Sequence, residues 1–229
     1  MVHAGADVLG RGGDLAGVRV LVTAGGTREA IDPVRFIGNR SSGKMGHAIA
    51  DAAARRGAAV TLVTTTDRPA PPGTDIVRVT TAEELHDAVL GRFAEQDVVV
   101  MAAAVADFRP KAVASEKMKK RDGIPDLHLE PTPDVLAALG ARKEHQILVG
   151  FAAETERVHE HAAAKLVSKH IDLMVANDVS APDAGFEVDT NRVTLLDSRG
   201  GIEEIPLLSK LALADVILDR IRNALTQTA

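Results

Sequence analysis

The sequence predicts an α/β fold: a Rossmann-like, doubly wound parallel sheet that carries a β-hairpin extension. Apolar, β-branched runs of strand length recur along the chain, and such runs are typical of parallel strands covered on both faces. Amphipathic runs with helical spacing alternate with them. A turn-rich pair of short alternating runs then precedes the last helical run. Strand and helix in alternation favour a parallel sheet with its ligands at the carboxyl ends of the strands.

Each element has its own local signal. The run VRVLVTA at 18–24 is nearly continuous in apolar character, and an alanine-rich helical run at 43–56 ends at Gly57. We expect an irregular segment from the end of the fourth strand to about Asp126, and a hairpin at 192–205 that projects from the sheet. The predicted strands are 18–24, 59–64, 76–79, 98–102, 147–151 and 173–176, and the predicted helices are 43–56, 82–93, a short one after Pro133, 155–169 and 208–221.

The length and composition bound the function. A chain of 229 residues suits one domain, here 18–229, after a lead-in at 1–17 that holds five glycines and is expected to be flexible. The net charge of −5 favours neither nucleic acid nor an acidic membrane. The longest apolar run has nine residues, too few to span a bilayer, so we expect a cytoplasmic protein. Cysteine and tyrosine are absent, which excludes thiol chemistry and a tyrosine acid or base.

The segment GNRSSGKMG at 38–46 lies just before a predicted helix, where backbone N–H groups favour a phosphate. Gly38, Gly43 and Lys44 fit the G-x-x-x-x-G-K pattern, but Met45 replaces the hydroxyl that would hold Mg²⁺. We therefore reject a standard P-loop and keep phosphate binding. The alternative is that the glycines only shape a turn and the serines cap the helix.

A basic segment follows the strand at 98–102. Between 109 and 121, six basic residues stand against Glu116 alone, which suits a flap over a polyanion or a solvated loop. Asp107 can accept hydrogen bonds from ribose hydroxyls or cap a turn. Farther on, His161, Lys165 and Lys169 share one helix face by their spacing of four. That face either meets phosphates or is solvated. Asn177 and Asp178 lie at the end of another predicted strand, near the same edge of the sheet, where they either face the ligand or form a turn.

Five ordered motifs carry a resemblance over about 18–221: TAGGTREAIDPVRFIGNRSSGKMG, AAAVADFRP, EKMKK, GFAAET and ANDVS. Together they resemble bacterial phosphopantothenoylcysteine synthetases. The resemblance implies a CTP-dependent ligase of coenzyme A biosynthesis that needs Mg²⁺. In it 4′-phosphopantothenate attacks CTP to give an acyl-cytidylate and pyrophosphate, and L-cysteine then displaces CMP.

The resemblance also assigns roles by position. It implies that Asn39 engages the acyl-cytidylate and that Lys117, in a flap at 108–126, supports cytidylate formation. Substrate-binding positions are Arg35 and Ala104. The implied nucleotide-binding positions are Ser41, Gly43, Lys44 and Gly46 around the phosphates, Asp107 at the ribose, Ala103 and Phe151 at the base, and Lys165 and Lys169 on the basic helix face.

The implied partners and the competing functions complete the prediction. Relatives are homodimers, and 181–205 is the candidate for an extension that reaches the partner subunit. Many relatives are fused to a flavin-dependent decarboxylase, so the glycine-rich lead-in is expected to be part of an interdomain linker. The alternatives are an NAD(P)-dependent Rossmann reductase, which would lack the usual tyrosine proton donor, and a non-catalytic nucleotide-binding module.

Overall fold

A computed structural model describes residues 12–120, 123, 125–154, 158–178 and 188–228 of the chain. The strands are β1 Arg19–Ala24, β2 Arg28–Ala30, β3 Phe36–Gly38, β4 Ala59–Thr64, β5 Asp75–Arg78, β6 Val98–Met101, β7 Phe108–Pro110, β8 Leu129–Pro131, β9 Ile147–Glu154, β10 Leu173–Asp178, β11 Thr190–Asp197 and β12 Ile202–Ser209. The helices are α1 Lys44–Arg55, α2 Ala82–Leu90, α3 Val135–Arg142, α4 Val158–Ser168 and α5 Lys210–Thr228, and a short 3-10 turn spans Phe93–Glu95.

Eight strands form one sheet in the order β12-β11-β10-β9-β6-β1-β4-β5. The strands from β10 to β5 run parallel to one another. Successive residues of β1 alternate between two hydrophobic cores, with Val20 and Val22 in one and Leu21 in the other. This alternation is why the three residues from Val20 to Val22 are all apolar. The Rossmann-like, doubly wound fold predicted from the sequence is confirmed.

Helices cover both faces of the sheet. α1 and α5 pack on one face, where Ile49 meets Leu213 and Ile217 in a shared core. α2, α3 and α4 supply Leu85, Leu139 and Leu166 to the core on the other face. The sheet is therefore covered on both faces, and the carboxyl ends of its parallel strands are the edge at which such folds bind ligands.

The hairpin near the end of the chain differs from its prediction. β11 pairs antiparallel with β10 and β12 pairs antiparallel with β11, so both strands extend the main sheet instead of projecting from it. β12 continues through Leu208 and Ser209, which pair with Asn191 and Thr190, and α5 consequently begins at Lys210. Residues 179–187, which the predicted extension 181–205 includes in part, lie outside the described residues.

Two small sheets stand apart from the main one and were not predicted. β2 pairs with β3 in one of them. In the other, β7 pairs with β8, so the segment after β6, which was predicted to be irregular to about Asp126, includes a short strand that pairs beyond it. These strands have three residues each and several exposed side chains, which gives no hydrophobic period to detect. Within the described ranges, no helix is long and apolar enough to cross a lipid bilayer.

Candidate active site

A cavity of about 560 Å³ opens at the carboxyl ends of β6, β9 and β10, the edge at which the sequence predicts ligands. It lies beside the first turn of α1 and reaches α3 and the start of α5. The fold brings together ten of the residues proposed from the sequence: Asn39, Ser41, Gly43, Lys44, Gly46, Ala103, Ala104, Asp107, Phe151 and Lys169.

Three proposed residues do not line the cavity. Arg35 donates to the Asp32 carboxylate and to the Met118 carbonyl, so its guanidinium is already engaged. Lys117 and Lys165 are exposed and lie outside the cavity wall. Of the predicted basic face of α4, only Lys169, just past the helix, reaches the cavity, whereas the side chain of His161 lies outside the described residues.

Two glycines, Gly43 and Gly46, allow α1 to lie very close to the end of β1. Gly46 lies so near β1 that a Cβ atom there would be 2.5 Å from the Thr23 carbonyl oxygen and 2.6 Å from the Ala24 Cβ. Gly43 has a φ of 73°, in the left-handed region that favours glycine, and its space is closed by Thr66 and Gly25. The sequence thus uses glycine to set the helix directly on the end of the strand.

The start of α1 is open to an anion. Gly43 is its N-cap residue and forms no side-chain cap hydrogen bond, so the alternative in which a serine caps this helix is not met. No acidic residue lies in the first turn, which instead begins with Lys44. The first N–H groups of a helix have no intrahelical acceptor, and they carry the positive end of the helix dipole. This turn can therefore bind phosphate through its backbone.

His47 holds the loop after β4 against residues 38–46, the glycine-rich turn at which the sequence predicts phosphate binding and which is called the phosphate turn below. Its Nδ1 donates to the Pro69 carbonyl oxygen at 3.2 Å, so its Nε2 accepts from the Thr66 hydroxyl at 3.1 Å. Burial lowers the pKa of His47, which keeps the ring neutral and maintains this pattern. Because Thr66 packs on Gly43, the imidazole helps to fix the shape of the turn.

Backbone hydrogen bonds position the loop after β6. The Ala103 N–H donates to the Thr23 hydroxyl at 3.0 Å, and the Ala104 N–H donates to the Gly25 carbonyl at 2.8 Å. The Ala106 N–H donates to the Thr27 hydroxyl at 2.9 Å. The loop is thus fixed to the turn after β1, and it places the exposed Asp107 at the cavity rim.

Asn39 links this loop to the phosphate turn. Its Nδ2 donates to the Val105 carbonyl oxygen at 3.0 Å, and its own carbonyl accepts from the Ser41 N–H at 2.9 Å. A primary amide has two N–H donors, so a ligand can accept the second one. The hydrogen bond to Val105 orients the Asn39 amide, which the family resemblance predicts to engage the acyl-cytidylate.

The α3 end of the cavity is already neutralised. Asp134 caps α3 by accepting from the Ala137 N–H at 3.0 Å, and it forms an ion pair of 2.9 Å with Lys169. Burial acts to raise the pKa of Asp134, but the hydrogen bonds from Ala137 and Lys169 outweigh it and the pKa is lowered. This end is therefore suited to polar, uncharged parts of a ligand.

Sequence reasoning missed part of the cavity wall near α5. Lys210 and Asn191 line the cavity and are buried, as is Asn177, which was noted only for its place at a strand end. The side-chain oxygens of both asparagines are buried and have no hydrogen-bond partner among the described residues. Leaving such a group unpaired costs about 1–3 kcal/mol. One signal in the sequence could have revealed Lys210: it starts a helix, where the dipole disfavours a cation.

The flap is attached to the loop that precedes β3. The Met118 N–H donates to the buried Asp32 carboxylate at 3.2 Å, and the Arg35 guanidinium donates to the Met118 carbonyl at 2.9 Å. The Ala114 N–H also donates to the Ile31 carbonyl at 3.0 Å. Hydrogen bonds from Arg35 and three backbone N–H groups hold the pKa of Asp32 well below its usual range. Lys117 therefore sits beside a fixed point of the flap.

Metal-ligating side chains do not cluster in the part of the chain that the structure describes. No group of three or more histidine and acidic side chains there could hold a metal ion.

The fold and the site define a class: an α/β protein of the doubly wound type with a cavity of about 560 Å³ beside the glycine-rich turn that precedes α1. The comparisons with known proteins go further. The family described as DNA/pantothenate metabolism flavoprotein C-terminal domain matches residues 15–225. This chain belongs to that family.

Relatives and solved structures agree with this placement. The chain is 48% identical over 217 residues to the coenzyme A biosynthesis bifunctional protein CoaBC of Bacillus subtilis strain 168, covering 93% of this chain and 53% of that protein. It is 46% identical to CoaBC of Escherichia coli K12, with 91% and 52% covered. The crystal structure of a CoaBC C-terminal domain superposes with a TM-score of 0.81 at 42% identity, covering 93% of this chain and 98% of that one. The chain thus spans about half the length of these bifunctional relatives.

Proposed function

We propose that this chain is a ligase that joins 4′-phosphopantothenate to L-cysteine in coenzyme A biosynthesis, and that it uses CTP through an acyl-cytidylate. The observation that carries the proposal is the uncapped start of α1, which opens beside Asn39 into the cavity at the sheet edge. The similarity to CoaBC proteins supports the choice of substrates.

In the first step a carboxylate oxygen of phosphopantothenate attacks the α-phosphorus of CTP. The bond from that phosphorus to the bridging oxygen breaks, and pyrophosphate leaves with the electron pair. The N–H groups at the start of α1 and the Lys44 ammonium would bind the phosphate oxygens and stabilise this charge. Lys117 would add a cation from the flap when its side chain turns towards the cavity, because Lys117 lies outside the cavity wall while the hydrogen bonds of Met118 fix the neighbouring backbone.

In the second step the cysteine amine attacks the acyl carbon. The bond from this carbon to the cytidylate oxygen breaks, CMP leaves, and the nitrogen loses a proton as the amide forms. Negative charge develops on the acyl oxygen, and the second N–H of Asn39 Nδ2 would donate to it. By analogy with oxyanion holes, such a donor is worth about 3 kcal/mol, or roughly a hundredfold in rate.

Magnesium would be held mainly by the nucleotide phosphates and water. When bound, it would offset charge on the pyrophosphate. Asp107 at the rim would accept hydrogen bonds from the ribose, and the backbone near Ala103 and Phe151 would face the base.

The test follows pyrophosphate and CMP separately. The protein is supplied with CTP, Mg²⁺ and phosphopantothenate, and cysteine is added later. We expect pyrophosphate release that depends on phosphopantothenate and CMP release that depends in addition on cysteine. Replacing CTP by ATP in the same assay tests the base. Hydride transfer to NADP⁺ without CTP turnover would support the reductase, and binding without turnover would support the nucleotide-binding module.

We also propose that the protein is a homodimer. Two exposed surfaces could serve: the hairpin of β11 and β12, where Ile202 is 59% exposed, and the two small sheets, where Phe36 and Phe108 are 52% and 55% exposed. The small sheets are the better candidate, because their apolar side chains are large and lie on adjoining hairpins. We propose that a flavin-dependent decarboxylase domain is fused to this chain in the full-length protein, because the relatives that it matches are bifunctional.

Light scattering of purified variants separates the two surfaces. If the small sheets form the interface, the double variant Phe36→Asp and Phe108→Asp is a monomer and Ile202→Asp remains a dimer. The reverse result would assign the interface to the terminal hairpin. Two dimeric variants would exclude both surfaces.

A further inference from the structure

Lys210 is the one buried lysine among the residues that the structure describes, with 6% of its surface exposed. It is the first residue of α5 and lines the cavity. Its Nζ donates to the Val188 carbonyl oxygen at 2.5 Å, and its backbone N–H donates to the Asp189 carbonyl at 2.9 Å. The position of this ammonium group in the cavity wall puts a positive charge within reach of a ligand.

A second lysine and an exposed carboxylate lie in the same place. Lys44 also lines the cavity, and its Nζ is 2.6 Å from the Asp189 carboxylate. The Lys44 side chain is 26% exposed, whereas that of Asp189 is 88% exposed. An ion pair with such an exposed partner is weak, because water competes for the carboxylate. A ligand anion could therefore displace Asp189 from Lys44.

Most of the described charges that act on Lys210 are positive. Burial lowers the pKa of Lys210, the charge of Lys44 lowers it further, and Arg68 acts in the same direction, whereas Asp189 opposes them. Among the described residues, Lys44 and Arg68 thus add positive charge to the place that Lys210 occupies. Each lysine is the first residue of a helix with no acidic residue in its first turn, so the helix dipoles add to the positive potential.

The cavity wall beside the lysines is also polar. Asn191 is 3% exposed, lies two residues after Asp189 and lines the cavity. Its amide oxygen has no hydrogen-bond partner within the described residues. This oxygen is an acceptor, so it would bind an N–H or O–H donor of the same ligand, next to the oxyanion.

We propose that Lys44 and Lys210 form an oxyanion subsite at the α5 end of the cavity, in which Asp189 occupies the place of the ligand's oxyanion until the ligand binds. The ligand group is a phosphate or a carboxylate. The inference rests on the proposed function, in which this group is either the pyrophosphate part of the nucleotide or the carboxylate of the amino acid.

The direct test is calorimetric titration with inorganic pyrophosphate. If the subsite holds pyrophosphate, Lys210→Gln should weaken binding about tenfold or more, since a hydrogen bond to a charged group is lost. Lys210→Arg, which keeps the charge, should retain part of the affinity. Asp189→Asn should tighten binding several-fold because the competing carboxylate is gone. Lys143→Gln is the matched control, since Lys143 pairs with Asp172 near the amino ends of β9 and β10.

Two further arms identify the source of the oxyanion. If the subsite holds pyrophosphate, Lys210→Gln weakens CTP and pyrophosphate but leaves CMP unchanged. If it holds the amino acid carboxylate, Lys210→Gln raises the KM for cysteine, leaves the KM for cysteamine unchanged, and does not alter pyrophosphate binding. Either pattern supports the subsite and names its ligand.

The inference is overturned if Lys210→Gln changes neither pyrophosphate binding nor the preference for cysteine over cysteamine. It is also overturned if Asp189→Asn weakens binding as Lys210→Gln does, because the carboxylate would then support the site instead of competing for it. Thermal unfolding of each variant confirms that the affinities belong to folded protein. Pyrophosphate binding needs no turnover, so a wild-type protein that binds it through Lys210 but forms no cytidylate would refute the proposed function and leave the subsite standing.

Discussion

The contact between α1 and β1 can be tested at a single atom. In Gly46→Ala the added Cβ would lie 2.5 Å from the Thr23 carbonyl oxygen, 2.6 Å from the Ala24 Cβ and 3.0 Å from the Ala24 Cα. All three atoms belong to β1 at the centre of the sheet and cannot rotate away. The helix must therefore move from the strand by nearly 1 Å to restore ordinary contacts, and it takes the phosphate turn with it.

The cost can be worked out from opposing effects. Alanine in place of glycine inside a helix gains about 1 kcal/mol of stability. Overpacking against a rigid core costs about 1–3 kcal/mol, and contact with backbone places this site at the upper end. We therefore expect a net loss of about 1–2 kcal/mol in the free energy of unfolding. A shift near 1 Å at a binding turn can also reduce catalysis by about a hundredfold.

The assay combines urea unfolding with calorimetric titration of CTP. Gly91→Ala is the control, since Gly91 follows α2 at a φ of −65° and its Cβ would approach only the Asp87 carbonyl, at 3.1 Å. That variant should keep wild-type stability and affinity. If Gly46→Ala unfolds at the wild-type urea concentration and binds CTP with the wild-type affinity, the close packing of α1 on β1 does not shape the phosphate turn.

Three other substitutions test separate contacts. Hydrogen bonds from Arg56 lower the pKa of Asp14 to about 2, so the contribution of Asp14 to stability is present above pH 4 and is lost as pH falls to 2. In urea unfolding from pH 6 to 2.5, Asp14→Asn should therefore remove part of the pH dependence of the free energy of unfolding. The same pH dependence in the variant and the wild type would contradict this. Asp32→Asn should weaken the attachment of Met118 and speed tryptic cleavage within the flap, whereas a wild-type cleavage rate would show that the flap is held elsewhere. Asn39→Asp should let the acyl-cytidylate accumulate in a quenched reaction; loss of its formation instead would remove the second-step role.

The main sheet was predictable because burial on both faces leaves a strong signal. β1, β4 and β6 are apolar at nearly every position, and glycine or polar residues separate them from the helices. The turn before α1 was predictable from its glycines, since Gly43 has a positive φ and Gly46 packs directly on β1, whereas phosphate binding there stays a prediction. A local pattern was sufficient in both cases.

The rest depends on pairing between distant segments. β2 and β3 are held by one another, and Phe36 is exposed on them, so no buried period marks them in the sequence. Lys210 lies far along the chain from Lys44, and only the packing of α5 beside α1 brings both to one cavity. The terminal hairpin was recognised, but its docking on β10 is set by backbone hydrogen bonds that composition does not encode.

The helix starts show how an acidic chain can bind an anion. α2, which does not line the cavity, begins with a complete capping box at Thr81 and has Glu83 and Glu84 in its first turn, the arrangement that stabilises a helix. α3 meets the cavity but is capped by Asp134, so a carboxylate already offsets the positive end of its dipole. α1 and α5 begin with lysines and no acids, an arrangement that destabilises an isolated helix and favours a bound anion. The cavity is therefore polarised, and a nucleotide should bind with its phosphates towards α1 and α5 and its ribose towards α3.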